Sequence, residues 1–130
     1  MPVRRVVIDH ITLGVRDLAR SRAFYLAALA PLGFEQIGEW REGMREVAIG
    51  PPGLDDFILS LDYEPGTTHV AFAAEDREQV HAFHAAALAA GGRDNGPPGP
   101  RAQYSPGYYG AFVLDPDGHN VEAVVHDPHP

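Results

Sequence analysis

The chain has 130 residues, a formal net charge of −8 and no cysteine. This length suits one domain with its own hydrophobic core, and the negative charge disfavours a nucleic-acid surface, which needs clustered basic side chains. Without cysteine the chain forms neither disulfides nor thiolate metal sites, so a bound metal would use His, Asp or Glu side chains.

The N-terminal residues MPVRRVVIDH lack the apolar block of a secretory signal peptide. No later segment reaches the roughly 18 apolar residues of a membrane-spanning helix. We therefore predict a cytoplasmic protein with neither a membrane nor a nucleic acid among its partners.

The first half of the chain predicts a strand, a helix and three further strands. The β-branched run VVIDHITLGV predicts a strand that contains His10. Asp17 is a suitable N-cap for a helix that ends at Gly33. The runs FEQIGEW, REVAIG and DFILSLD predict the three later strands, the last two separated by the turn GPPG.

The second half begins the same pattern again. THVAFAA predicts a strand, Asp76 caps the helix REQVHAFHAAALAA, and Gly91-Gly92 end it. The segment from Arg93 to Gly110 is rich in proline and glycine and predicts a long polar loop. The strand YYGAFVLD, the type I turn DPDG and the strand NVEAVVH complete this half.

The two halves are related by an internal duplication. A shift of 59 residues gives nine identical pairs between the 24 residues 10–33 and residues 69–92. Several of these pairs are alanines in Ala-rich helices, but His10 with His69 and Asp17 with Asp76 are not explained by composition. We predict an α+β fold of two tandem βαβββ modules, residues 6–64 and 66–127, within a single domain spanning residues 1–130.

Two histidines and one glutamate are candidates for a shared site. A single histidine in a strand is usually a hydrogen-bonded core residue, but two that are related by a repeat favour a common role. Glu122 lies inside the apolar strand NVEAVVH, where an unpaired carboxylate costs several kcal/mol. His10, His69 and Glu122 together suit one divalent ion, either Fe, Mn, Ni, Zn or Co.

These segments resemble the vicinal oxygen chelate superfamily, which includes glyoxalase I, fosfomycin-resistance thiol transferases, extradiol dioxygenases, methylmalonyl-CoA epimerase and bleomycin-sequestering proteins. The resemblance rests on DHITLGV, ARSRAFYLAALAPLGF, HVAFAA and DPDGHNVEAV and covers roughly residues 6–126. It implies that the modules curl into a cup-shaped mixed sheet with His10, His69 and Glu122 as metal ligands on the concave face. It also implies a homodimer, because small members often complete each cup from two chains.

One departure from the superfamily bears on the reaction. Glyoxalase I has a further glutamate ligand in the last strand of its first module, where this chain has FILSLD without a carboxylate inside the strand. That glutamate carries the substrate proton in glyoxalase chemistry, so we expect that this chain is not a true lactoylglutathione lyase. The general base is not identified by the sequence.

The segment Arg93–Gly110 supports two interpretations. As a lid, it would place Arg101 against an anionic group of the substrate and would offer Tyr104, Tyr108 and Tyr109 as candidate catalytic residues. As a stiff surface or dimer-contact loop, it would have no catalytic role.

The other histidines favour structural or surface positions. His81 and His84 suit packing on the second helix, and His119, directly after the DPDG turn, is expected to be solvent-exposed. His126 and His129 fall in a C-terminal tail without a predicted function.

The sequence therefore leaves two main functions open and, as a third, a former enzyme that is retained as a dimeric scaffold. The first is a metal-dependent enzyme, a lyase, isomerase, transferase or dioxygenase, for a small oxygenated molecule that chelates the ion. The second is a non-catalytic protein that sequesters an aromatic or cationic compound, as bleomycin-sequestering members do.

Overall fold

The computed structural model describes residues 8–127. The first residues of the predicted strand VVIDHITLGV, the start of the first predicted module and His129 lie outside the described residues. The predicted module boundaries stay a prediction.

The first half forms one mixed sheet with one helix. The strand β1 (Ile11–Gly14) is followed by α1 (Leu18–Leu29), β2 (Glu35–Ile37), β3 (Glu46–Gly50) and β4 (Phe57–Ser60). The strand order is β1-β4-β3-β2, with β1 parallel to β4 and the other pairs antiparallel.

The second half repeats this arrangement. The strand β5 (His69–Ala73) leads to α2 (Arg77–Ala89), β6 (Arg93–Pro100), β7 (Tyr108–Leu114) and β8 (Asn120–His126). The order β5-β8-β7-β6 has the same parallel first pair, β5 with β8. The predicted α+β class and its two βαβββ units are confirmed.

Both helices begin at the predicted aspartates. The Asp17 carboxylate accepts a hydrogen bond from the Arg20 N–H at 3.0 Å, and Asp76 accepts one from the Gln79 N–H at 2.8 Å. The α-helical part of α1 ends before the predicted stop, because Pro31 cannot donate a helical hydrogen bond and residues 30–32 form a 3-10 turn. Within residues 8–127, no helix is long and apolar enough to cross a membrane.

The prediction of a long loop between Arg93 and Gly110 is wrong for the first part of this segment. Residues 93–100 form the edge strand β6, which pairs with β7 through two register shifts near Gly96. An edge strand tolerates prolines because one side of its backbone needs no hydrogen-bonding partner. The true connection between β6 and β7 is limited to residues 101–107.

One hydrophobic core joins the two halves. Phe57 of β4 meets Phe72 of β5 edge to face, with ring centroids 5.1 Å apart, and Phe34 packs on Phe72 at 5.5 Å. The helices α1 and α2 contact each other. Buried side chains from the helix-facing sides of both sheets belong to this core. Each sheet therefore turns one face towards the other half of the chain.

The turn between β7 and β8 also fastens the halves together. His119 is only 1% exposed, which corrects the prediction of an exposed residue. Its Nε2–H donates to the Gly14 carbonyl at 2.9 Å, and its Nδ1 accepts from the Thr68 N–H at 3.2 Å. His119 is buried because a neutral imidazole supplies the one donor and one acceptor that these backbone groups need.

Candidate functional site

Strand register separates the side chains of the second sheet into two faces. Val113, Val121 and Ala123 pack with Phe83 and Ala87 of α2 in the core. We refer to the face away from α2 as the open face. Its residues, given by the cross-strand pairs, are His69, Ala71, Ala73, Tyr108, Gly110, Phe112, Leu114, Asn120, Glu122, Val124 and His126.

A histidine–carboxylate pair lies at the centre of the open face. His69 Nε2 and Glu122 Oε1 are 2.8 Å apart, and the Tyr108 hydroxyl donates a hydrogen bond to Glu122 Oε2. The Glu122 side chain is 0% exposed, whereas that of His69 is 53% exposed. Both carboxylate oxygens have partners, which explains how an apolar strand tolerates this charge. Two predicted metal ligands and one predicted tyrosine are thus brought together.

Tyr108 keeps its proton near neutral pH. Burial, followed by the hydrogen bond to Glu122 and the charge of that carboxylate, raises the pKa of Tyr108 well above its usual value. The charge of Arg101 opposes this shift. The Tyr108 hydroxyl is therefore a hydrogen-bond donor to Glu122 and not a base at neutral pH.

His10 lies apart from this pair, in the other half of the chain. It precedes β1, and its Nδ1 is 2.8 Å from Asp9 Oδ1. The hydrogen bond to Asp9 raises the pKa of His10; desolvation opposes this shift, and the charges of Asp9 and Asp55 add to it. Among residues 8–127, no three His, Asp or Glu side chains gather as a metal-binding set. One folded chain therefore does not bring the third predicted ligand to the other two.

The first module has no counterpart of Glu122. Ala71 pairs with Glu122 in the second sheet, and Thr12, the repeat partner of Ala71, pairs with Ile58 in the first. An aliphatic side chain thus stands where the second module has a carboxylate. Ser60, two residues further on, is buried, and its Oγ accepts a hydrogen bond from the Asp62 N–H.

The other residues predicted from the β6–β7 segment are divided between the two faces. Arg101 Cζ lies 5.4 Å from the centroid of the open-face ring Phe112. Tyr104 is 60% exposed, and its ring centroid is 5.0 Å from that of Tyr108. Tyr109 lies on the α2 side, with its hydroxyl 2.7 Å from His81 Nε2, so it is not brought to the pair.

Two open-face residues were missed by the sequence prediction. The Phe112 ring neighbours both Arg101 and His69, with its centroid 6.1 Å from that of the imidazole. His126, predicted to be part of a tail without a role, ends β8, and its ring meets Tyr108 edge to face at 5.2 Å. The alternation along β8 could have found His126, because every second residue from Glu122 shares its face.

A cleft lies where the start of β1 and the 3-10 turn meet β5, and its lining includes Ala71 and Ala73 of the open face. Its volume is about 550 Å³, within the usual range of small-molecule sites. Its walls are mainly apolar, and Asp9, Asp56 and Glu75 are the carboxylates that line it. The lining that the structure describes includes no basic side chain.

Known proteins resemble this chain in both sequence and fold. The model of the Glyoxalase/Bleomycin resistance protein/Dioxygenase superfamily matches residues 7–123. A glyoxalase/bleomycin resistance protein from Albidiferax ferrireducens T118 is 32% identical, covers 90% of this chain and 96% of its own, and has a TM-score of 0.73. A hypothetical protein from S. aureus is 28% identical, with coverages of 88% and 92% and a TM-score of 0.65.

A more distant structure shares the fold. The glyoxalase/bleomycin resistance protein/dioxygenase family enzyme from Burkholderia phytofirmans PsJN is 19% identical, with coverages of 93% and 99% and a TM-score of 0.70. No protein of curated function matches the sequence.

Proposed function

This chain belongs to the glyoxalase/bleomycin resistance protein/dioxygenase superfamily, and from that membership we propose that it is a metal-dependent enzyme for a small oxygenated substrate. The observation that carries the proposal is the contact between His69 and the buried carboxylate of Glu122. Burial of a carboxylate beside an accessible imidazole costs folding free energy, and such pairs are typical of functional sites.

The donor set fits a divalent ion. At 2.8 Å, His69 Nε2 and Glu122 Oε1 are close enough for one ion to take the place of a shared proton. One imidazole nitrogen and one carboxylate oxygen suit Fe, Mn, Ni, Zn or Co. When bound, such an ion would act as a Lewis acid towards two substrate oxygens. Tyr108 would hold Glu122 Oε2 by its hydroxyl and so direct Oε1 towards His69.

We propose that His10 of a second copy completes the ligand set, which makes the active form a homodimer. The edge strands β1 and β5 lie in separate sheets, and exposed edges favour pairing with another chain. Close to His10, Ile8 and Ile11 are 66% and 36% exposed, as expected for side chains that a partner covers.

The proposed reaction is not that of a lactoylglutathione lyase. Ile58 occupies the position equivalent to Glu122 in the first module, so no carboxylate is available there to carry a substrate proton. Turnover of the hemithioacetal of methylglyoxal and glutathione would contradict this part of the proposal. A cytoplasmic location stays a prediction from the sequence.

Metal analysis tests the ligand assignment. Purified protein is incubated separately with each of the five ions, desalted and assayed for bound metal. We expect stoichiometric binding of at least one ion by the wild type and its loss in His69→Ala and Glu122→Gln. The control His84→Ala changes a helix histidine that contacts Asp94 and should retain the ion. Failure of the wild type to retain any ion at micromolar concentration would refute the proposal.

Mixed dimers test the contribution of the second copy. Chains carrying His10→Ala and chains carrying His69→Ala are given different tags, combined and purified as heterodimers. If the ligands come from two copies, each heterodimer has one intact site and binds one ion. If they come from a single chain, neither site is intact and the heterodimer binds none, as each variant does alone.

A non-catalytic binding protein is the second candidate function. The cleft favours it, because apolar walls with three carboxylates suit an aromatic or cationic guest. Such a protein would bind its guest equally well after chelation and after His69→Ala. The enzyme would bind its substrate more weakly in both cases, because the ion would no longer hold the two substrate oxygens.

A further inference from the structure

Arg101 is a preorganised cation beside the open face. Its Nη2 donates to the Pro97 carbonyl at 2.8 Å, and its Nη1 donates to the Pro100 carbonyl at 3.3 Å. These bonds fix the guanidinium and leave its other N–H donors available. Four other arginines, Arg16, Arg41, Arg45 and Arg77, each contact a carboxylate. Among residues 8–127, Arg101 has no such partner.

Two glycines make room for this guanidinium. A Cβ on Gly96 would lie 3.2 Å from Arg101 Nη2 and 3.0 Å from Phe112 Cδ1. A Cβ on Gly99 would lie 3.1 Å from Arg101 Nη1. Side chains at these positions would push the guanidinium away from the Phe112 ring. The strand β6 is thus shaped to hold Arg101 over Phe112.

Aromatic rings connect Arg101 with the histidine–carboxylate pair. Phe112 neighbours both the guanidinium and His69. Tyr108 contacts Glu122, and its ring meets those of Tyr104 and His126. A flat apolar molecule against the Tyr104 and Tyr108 rings would be close both to the Arg101 guanidinium and to the proposed metal ligand Glu122. Rings of this kind favour stacked or edge-to-face contact with another aromatic group.

We propose that Arg101 determines substrate specificity by binding an anionic group, and that the substrate is an aromatic carboxylate. A planar guanidinium fork matches a carboxylate in two parallel hydrogen bonds. A chain with a net charge of −8 repels anions in general, so it needs a dedicated cation to bind one. The identification as a substrate rests on the proposed enzymatic function, whereas carboxylate binding by Arg101 does not depend on a metal.

Titration of the metal-free protein with benzoate and with its neutral analogue benzamide tests the proposal. Binding is followed by NMR through the Tyr108 and Phe112 ring signals at constant ionic strength. We expect benzoate to bind at least about tenfold more tightly than benzamide, because hydrogen bonds between a guanidinium and a carboxylate are stronger than those to a neutral amide. Arg101→Gln should remove this preference. Gly99→Ala should weaken it by displacing the guanidinium while its charge is kept.

Arg41→Gln changes an exposed arginine paired with Glu39 and should leave benzoate binding unchanged. Equal binding of benzoate and benzamide, unaltered benzoate binding by Arg101→Gln, or no saturable shift at tens of millimolar benzoate would each overturn the proposal. If benzoate binds as expected but the metal analysis shows that the wild type retains none of the five ions, the proposed enzyme is refuted and carboxylate binding by Arg101 stands.

Discussion

At the scale of single residues, Glu122 organises the site. Alternation along β8 places it on the open face, where Tyr108 and His69 each reach one of its oxygens. Gly110 allows this packing, because a Cβ there would lie 3.1 Å from Glu122 Oε2. The carboxylate is therefore held in place by its neighbours, and removal of either neighbour has a measurable cost.

We expect Tyr108→Phe to destabilise the metal-free protein by about 1–3 kcal/mol, because one oxygen of a buried carboxylate loses its donor. The free energy of unfolding in urea measures this effect. Tyr104→Phe is the matched control, since Tyr104 is 60% exposed. Removal of its hydroxyl should change the free energy of unfolding by less than about 0.5 kcal/mol. Equal effects of the two variants would show that the hydrogen bond to Glu122 does not stabilise the fold.

A second prediction concerns Tyr25, whose hydroxyl donates to Asp115 Oδ2 at 2.5 Å. Burial and the charge of Asp115 raise the pKa of Tyr25 well above its usual value. The folded state therefore keeps this proton while the unfolded chain releases it near pH ~10, so the stabilisation is complete below that pH and decreases above it. We expect Tyr25→Phe to cost about 1–3 kcal/mol at pH ~7.

The pH dependence separates this effect from simple loss of packing. Urea unfolding of the wild type and of Tyr25→Phe is compared between neutral pH and about pH 11, above the usual tyrosine pKa. The difference in stability should shrink as the pH rises, because only the wild type loses the contribution of Tyr25. The raised pKa of Tyr108 affects both proteins and cancels. Parallel stability curves would contradict the prediction.

At the scale of elements, local sequence signals predicted both helices and every strand except β6. These signals are local: the helices are capped by Asp17 and Asp76, and the strands are apolar runs. They can therefore be recognised from the sequence without the tertiary structure. The segment RDNGPPGP has no alternation and three prolines, and only its pairing with β7 makes it a strand. For the same reason the separation of His10 from Glu122 was not predictable, because it depends on how the modules pack.

The connection between β6 and β7 has a strict requirement for glycine. Gly107 has a φ of 82°, and a Cβ there would lie 1.9 Å from the Asp127 carbonyl oxygen. We expect Gly107→Ala to cost about 2 kcal/mol or more, because a left-handed residue and a backbone clash both oppose it. Urea unfolding measures the loss, and the Tyr108 ring signals should shift as well.

Gly66 provides the matched control for Gly107. A Cβ at Gly66 would meet no atom within 4 Å, and its φ is not in the left-handed region. Gly66→Ala should therefore leave stability unchanged or increase it slightly. A similar loss in both variants would show that the geometry at Gly107 is not the cause.

At the scale of the whole molecule, the modules are joined by a shared core and by the turn between β7 and β8. Within that turn, His119 contacts the end of β1 through Gly14 and the residue before β5 through Thr68. The strand β1 directly follows the predicted ligand His10, and β5 begins with the predicted ligand His69. We therefore expect the packing of the modules to be coupled to the geometry of the site through this buried imidazole.

We expect His119→Phe to cost about 2–4 kcal/mol, because it keeps the apolar volume but leaves the buried Gly14 carbonyl without its donor. His119→Gln should recover part of this loss, since a carboxamide supplies one donor and one acceptor as the neutral imidazole does. Urea unfolding measures both, with His84→Ala as the control for a histidine outside the turn. A loss in His119→Phe no larger than that of the control would show that the turn does not hold the modules together.

If the packing of the modules is coupled to the site, His119→Phe should also weaken metal binding more than His119→Gln does, because Thr68 directly precedes His69.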